Sequence, residues 1–154
     1  MVQAIEQKLA ELGVTLPEAA PPAAAYVSFV LSGNLLFTAG QLPYAGGKLF
    51  ATGLLGRDVD VATGKEAAMF CAINILAQVK GATGDLERIA RIVKLTAFVA
   101  SAPGFTEQHL VANGASEFLV SVLGERGRHA RSAVGTASLP LDAAVEIEAI
   151  VELL

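Results

Sequence analysis

Cysteine is almost absent from this chain of 154 residues, which contains only Cys71. An intrachain disulfide is therefore excluded. Cys71 lies among Ala, Ile and Leu in a segment with helical periodicity, so we expect a buried thiol without chemical reactivity. The two histidines, His109 and His129, and the acids Asp85 and Asp142 show no zinc-ligand spacing, so we expect no metal site.

Basic clusters and long apolar runs are also lacking. The chain has 11 Lys and Arg against 15 Asp and Glu, a net charge of -4, and no basic stripe, so nucleic acid is not an expected partner. Hydrophobic residues make up 53% of the chain, but their runs break before the roughly 18 residues of a membrane span. The N-terminus mixes acids with lysine, which argues against a secretory signal and favours the cytoplasm. The abundance of Ala, Val, Leu and Gly is consistent with self-association.

Helical and β-type periodicities alternate along the chain and predict an α+β fold, with a mixed β-sheet and two helices packed on one face. No repeat or second domain is visible, so we expect one domain over residues 1–154. Within it we expect an N-terminal helix and a Pro/Ala connector over residues 1–20 and the core over residues 24–154. The predicted elements are a helix at 4–12 with Ile5, Leu9 and Leu12 on one face, a hairpin of 25–32 and 35–39 turning at Gly33 and Asn34, a strand at 49–52, a helix at 61–80 ended by Gly81, a strand at 91–100, a helix at 105–123 with Leu110 toward the core, and two C-terminal strands.

The C-terminal strands carry the candidate chemistry. Val145, Ile147 and Ala149 alternate with Glu146 and Glu148, the pattern of a half-buried strand with carboxylates on one face. The preceding strand begins near Arg131, and the short proline-containing link predicts that the two strands lie close together.

The guanidinium of Arg131 is a flat fork that could bind a ligand carboxylate, while Glu146 could hold or activate a water. The alternative interpretation is that Arg131 and Glu146 simply pair with each other or with solvent.

Ordered motifs over residues 24–154 resemble the Rid (YjgF-like) family, also labelled endoribonuclease L-PSP. They are Ala39-Gly-Gln-Leu-Pro43, Asn113 in the second long helix, Ala130-Arg-Ser132, Leu139-Pro140 and Val145-Glu-Ile-Glu-Ala149. The resemblance implies a chorismate-mutase-like fold and a homotrimer whose sheets line a central barrel, with three clefts between subunits. It implies no cofactor.

The activity that the resemblance implies is the hydrolysis of reactive enamines or imines, 2-imino acids, to 2-oxo acids and ammonia. The family's substrate-binding arginine falls on Arg131 and its glutamate on Glu146, which makes these two the expected catalytic pair. Its remaining substrate-binding positions fall on Tyr26, Gly40 and Asn113. Two alternatives stay open: a module that binds a 2-oxo acid without turnover, and an endoribonuclease.

Overall fold

The segments with helical and β-type periodicity form a helical layer and a β-sheet in the structure. The structure is a computed structural model that describes residues 4–154. Short 3-10 turns at Leu86–Arg88, Gly124–Gly127 and Pro140–Asp142 join some of the elements. In chain order the elements are helix α1 (Ala4–Glu11), strands β1 (Phe29–Ser32), β2 (Leu35–Thr38), β3 (Tyr44–Ala45) and β4 (Lys48–Leu49), helix α2 (Val61–Thr83), strand β5 (Ile89–Ala100), helix α3 (Gln108–Leu123), and strands β6 (Ala130–Thr136) and β7 (Val145–Leu153).

The main sheet has the strand order β1-β2-β7-β5-β6, and only the β5–β6 pair is parallel. This confirms the predicted mixed sheet. The expectation that the two C-terminal strands are close neighbours is wrong, because β5 lies between β6 and β7. Helix α3 carries the chain back so that β6 runs parallel to β5 on its free edge, as a parallel pair requires. β7 then pairs antiparallel with β5 and β2.

Helices α2 and α3 cover one face of this sheet. The apolar residues at helical spacing in α2 are all fully buried: Ala68, Cys71, Ala72, Ile75, Leu76 and Val79. In α3 the buried stripe contains Val111, Ala112 and Ala115, whereas Leu110 is 37% exposed, so its predicted core position is wrong. The helix begins at Gln108 rather than 105, and Leu110 lies one residue, about 100°, off the buried stripe.

Glycine conformation explains two differences at the ends of elements. Gly81 does not end α2: the helix continues to Thr83, and Gly84, with φ 76°, donates its N–H to the Lys80 carbonyl. Only glycine adopts this left-handed cap without strain. The strand expected at 49–52 is instead the short β3–β4 hairpin, which turns at Gly46 and Gly47 with φ 60° and 82°.

The N-terminal segment lies on the helical layer. Ile5 and Leu9 are buried as predicted, but Leu12 is 45% exposed because α1 ends at Glu11. The Ile5 N–H donates to Glu87 Oε1 at 2.8 Å, which fixes the helix start. The following connector is anchored where Gln78 Nε2 donates to the Ala20 carbonyl at 2.9 Å.

The two long helices cross where Gly114 of α3 meets the Lys65 carbonyl of α2, and a Cβ on Gly114 would overlap that oxygen. We expect Gly114→Ala to destabilise the fold by roughly 1–3 kcal/mol, because two backbones would have to separate. Chemical denaturation would measure the loss. The matched control is Gly81→Ala, whose Cβ would meet only the Ala19 Cβ at 3.3 Å; it should change stability by less than about 1 kcal/mol because alanine favours the helix. Equal losses in both variants would contradict this account.

Candidate functional site

Arg131 lies near the start of β6, the edge strand next to α3. Its Nη1 donates to Asn113 Oδ1 at 2.9 Å and to Ser116 Oγ at 3.0 Å. Its Nη2 donates to the His109 carbonyl at 3.1 Å. All three acceptors belong to one side of α3, so the helix holds the guanidinium plane in a fixed direction.

These contacts leave part of the fork available. A guanidinium has five N–H hydrogens, and the described residues accept three of them. The Nε–H and one Nη2–H of Arg131 remain, and Nε and Nη2 form the edge that binds a carboxylate with two parallel hydrogen bonds. Arg131 is therefore oriented by the protein while retaining its capacity for an anionic ligand.

The hydrogen bonds extend beyond Arg131. Ser116 Oγ lies 2.8 Å from His129 Nε2, and His129 Nδ1 lies 2.6 Å from the Gly127 carbonyl. Sequence reasoning missed both Ser116 and His129. Ser116 follows Asn113 by three residues, the helical spacing that places two side chains on the same face, and this was the available signal.

Glu146 lies on β7 beside Gly40. A Cβ on Gly40 would come within 2.6 Å of Glu146 Oε1, so the absent side chain makes room for the carboxylate. Backbone bonds between Gln41 and Ile147, at 2.8 and 3.0 Å, hold the two segments in this register. The pKa of Glu146 is raised, first by burial and then by the negative charge of Glu148. This carboxyl group therefore retains a proton to higher pH than an ordinary glutamate.

The sheet separates Arg131 from Glu146. In the sheet register Arg131 pairs with the buried Leu95 of β5, whereas Glu146 pairs with Phe98 of the same strand. Leu95 and Phe98 are three residues apart on a strand whose side chains alternate, so they point to opposite faces. Arg131 thus faces the helices and Glu146 faces the uncovered side. The interpretation that these residues pair with each other is wrong within one protomer.

Tyr26 and Gly40 line a cavity of about 520 Å³ between the connector and the 39–47 segment. Tyr26 is 49% exposed, and its hydroxyl accepts a hydrogen bond from the Ala23 N–H at 3.3 Å. The wall is mostly apolar and small, with Glu18 as its charged residue. The connector contributes Pro17, Glu18, Ala20, Pro21, Pro22 and Ala23.

The five predicted site residues therefore form two groups. Arg131 and Asn113 are in contact on the helical side, while Gly40 lies beside Glu146 and shares the cavity with Tyr26. Within residues 4–154 no cluster of metal-ligating side chains is found. Cys71 is fully buried as predicted, and burial raises the pKa of its thiol.

The family model described as "YjgF/chorismate_mutase-like, putative endoribonuclease" matches residues 6–153. The chain belongs to this family. The expected fold class is confirmed by that match and by the observed mixed sheet with its helical layer. No helix in the described part of the chain is long and apolar enough to cross a membrane.

Individual relatives agree with this assignment. Protein TCP17 of Trypanosoma cruzi is 52% identical over 152 residues, covering 97% of this chain and 94% of TCP17. Protein Atu1372 of Agrobacterium tumefaciens, whose function is described as unknown, is 61% identical, with a TM-score of 0.93 and coverage of 98% and 93%. TdcF of E. coli, crystallised with bound serine, is 27% identical, with a TM-score of 0.65 and coverage of 89% and 94%.

The charge of Glu148 provides a test of the site's electrostatics. We expect Glu148→Gln to lower the pKa of Glu146, because the neighbouring negative charge that favours its protonated form is removed. A carbon-detected NMR titration of the glutamate side chains would measure the change. Glu152→Gln is the control, since Glu152 lies further along the same strand and does not contribute to the raised pKa of Glu146. An unchanged Glu146 titration in Glu148→Gln would contradict the assignment.

Proposed function

We propose that this protein hydrolyses reactive 2-imino acids to 2-oxo acids and ammonia. In the reaction, water adds to the iminium carbon and the C–N bond of the resulting carbinolamine breaks. The carbonyl oxygen of the product comes from water, and the nitrogen leaves as ammonia after receiving a proton. A protonated imine is already a good electrophile, so positioned groups and a water are sufficient for this step.

The oriented Arg131 carries the proposal. Its remaining Nε–H and Nη2–H match the two oxygens of a substrate carboxylate, and three fixed acceptors reduce the conformational cost of binding. Asn113 accepts from Arg131 through Oδ1, which leaves its amide N–H groups to face a ligand beside the guanidinium. The serine bound in TdcF is itself a small carboxylate ligand, which supports this substrate class.

Glu146 is suited to holding and activating the attacking water. An ionised carboxylate accepts a hydrogen bond from the attacking water, and the raised pKa brings its proton affinity closer to the working pH than that of an ordinary glutamate. After attack, the protonated form can return a proton toward the departing nitrogen. Gly40 has no side chain, so its backbone lies close to Glu146 without displacing the carboxylate.

The separation of the two groups by the sheet implies a site shared between subunits. One protomer would supply Arg131 and Asn113, and its neighbour would supply Glu146, Gly40 and Tyr26. Within residues 4–154 no helix covers the face carrying Glu146, and this face exposes large apolar side chains. They are Val30, Phe37 and Val134, at 52%, 38% and 46%. Such a face is suited to burial between copies, and we propose the homotrimer that is expected from the family resemblance.

The residues that line the cavity indicate which substrate side chains would fit it. Its wall of Pro, Ala, Leu and Tyr offers apolar contact and little charge complementarity to an anionic group, since Glu18 would repel one. We therefore propose imino acids with uncharged, small to medium side chains as substrates.

The rival functions predict different results. A binding module would bind 2-oxo acids without accelerating imine hydrolysis. An endoribonuclease would need to attract phosphate, yet Glu146 and Glu148 share the uncovered face and the chain is acidic. Salt-dependent RNA cleavage would favour that rival over the deaminase.

Arg131 variants test the carboxylate contact. In an assay where an amino acid oxidase generates the imine, we expect Arg131→Ala to lower kcat/KM by about 30- to 150-fold, equivalent to roughly 2–3 kcal/mol of charge-assisted binding. Arg131→Lys should recover only part of this, because an ammonium cannot bind side-on with a planar fork. Arg128→Ala is the control, since Arg128 is exposed and contacts Glu125. If the wild type does not accelerate release of any 2-oxo acid, the deaminase proposal fails.

Mixing two impaired variants tests the shared site. Arg131→Ala and Glu146→Gln subunits, unfolded together and refolded, should recover part of the wild-type activity, because some clefts would receive Arg131 from one subunit and Glu146 from another. The control is each variant refolded alone, which should keep only its own low activity. Sedimentation would verify that the mixed assemblies form. Absence of recovery in verified mixed trimers would contradict a site shared between subunits.

A further inference from the structure

We propose that Ser116 and His129 are positioning residues that orient Arg131 for carboxylate binding. This inference rests on the proposed function and adds two residues to it. Neither is expected to touch the substrate, because Ser116 contacts Nη1 of Arg131, away from the Nε–Nη2 edge, and His129 contacts Ser116. The argument depends on a hydrogen-bond chain whose direction the chemistry determines.

The series of hydrogen bonds begins at a group that can only donate and ends at a group that can only accept. Arg131 Nη1 can only donate, and it donates to Ser116 Oγ at 3.0 Å. The Gly127 carbonyl can only accept, and it lies 2.6 Å from His129 Nδ1. His129 Nδ1 therefore carries a hydrogen, which leaves Nε2 of a neutral ring as an acceptor. The Ser116 hydroxyl, 2.8 Å from Nε2, donates to it.

In this arrangement each hydrogen-bonding atom has a defined role as donor or acceptor. The Ser116 oxygen accepts from Arg131 while its hydrogen goes to His129, so the serine cannot rotate without losing a bond. A doubly protonated ring would present a hydrogen to Ser116 and add a positive charge near Arg131. Burial, and secondarily the charge of Arg131, lowers the pKa of His129 and favours the neutral ring.

The backbone makes the acceptor end rigid. A Cβ on Gly127 would overlap the Leu119 carbonyl, so the 3-10 turn packs directly on the backbone of α3. The Gly127 carbonyl and Ser116 are thus both fixed relative to the same helix. His129 connects them just before β6 begins, two residues from Arg131. Ser116 and His129 consequently restrict rotation of the guanidinium about its own bonds.

Four variants test the role. Ser116→Ala removes the acceptor for Arg131, and His129→Phe removes the acceptor for the serine hydroxyl while keeping an aromatic ring. His129→Gln retains one amide acceptor and one amide donor and should restore part of the effect. Ser121→Ala is the matched control on the same helix, because Ser121 Oγ donates to the Phe118 carbonyl and not to this chain.

The first measurement compares pyruvate with methyl pyruvate as calorimetric probes of the whole assembly. We expect Ser116→Ala and His129→Phe to weaken pyruvate binding about three- to tenfold while binding of the neutral ester stays unchanged. Ser121→Ala should change neither. Equal weakening of acid and ester would indicate a merely structural role and overturn the proposal, as would unchanged pyruvate binding in Ser116→Ala.

The second measurement is independent of the proposed function. In the free protein, NMR should show His129 protonated at Nδ1 and not at Nε2, and slow rotation of the Arg131 guanidinium. Ser116→Ala and His129→Phe should accelerate that rotation, His129→Gln less, and Ser121→Ala not at all. An Nε2-protonated ring or an unchanged rotation would overturn the inference. If wild type binds no 2-oxo acid and hydrolyses no imine, the proposed function fails, and these spectra alone decide the positioning of Arg131.

Discussion

The close approach of α3 to α2 at Gly114 is the constraint on which the cationic half of the site depends. Without a side chain there, the backbone of α3 rests directly against the Lys65 carbonyl. Asn113 immediately precedes this contact and Ser116 follows it by two residues, so the crossing fixes the direction in which both point. Because both accept from Arg131, the contact between the helices determines the position and direction of the guanidinium.

The sheet divides the candidate chemistry between two environments. On one face, helix α3 supplies three neutral oxygen acceptors that hold the permanent cation of Arg131. On the other, Glu146 is partly buried beside Gly40 and lies close to the like charge of Glu148, and both the burial and that charge favour its protonated form. A raised carboxyl pKa means that the folded state gives up stability as pH rises from the ordinary glutamate pKa to the raised value. Functional groups are often retained at such a cost.

Two residues with a strained backbone conformation lie near the cavity. Leu141 and Asp142, between β6 and β7, have φ of 59° and 61°, a left-handed conformation that costs side-chain-bearing residues about 1–3 kcal/mol each. The Asp142 carbonyl accepts from the Gly53 N–H, and Ala143 forms a bridge with Thr52, so the neighbouring loop holds this turn. The turn directs the exposed Leu141 to the cavity lined by the connector.

The local sequence predicted what depends on periodicity. The α2 core positions and the alternation of Val145, Ile147 and Ala149 with two glutamates follow from side-chain spacing, and the β1–β2 hairpin follows from the adjacent turn residues Gly33 and Asn34. These features depend on residues a few positions apart, which share a face whatever the rest of the chain does. The family motifs identified Arg131 and Glu146, but their placement on opposite faces required the register with β5.

Tertiary structure decided the features that depend on distant residues. Sequence reasoning placed β6 close to β7, because a short link joins them, whereas hydrogen bonding placed β5 between them. His129 and Ser116 are separated from each other by a helix end and a 3-10 turn, so the local spacing of each residue did not reveal that their side chains meet. The sequence by itself determined the long helices, the long strands and which residues can carry charge. Only the packed fold decided which of those charges meet, because strand order and helix crossing are set by the whole core.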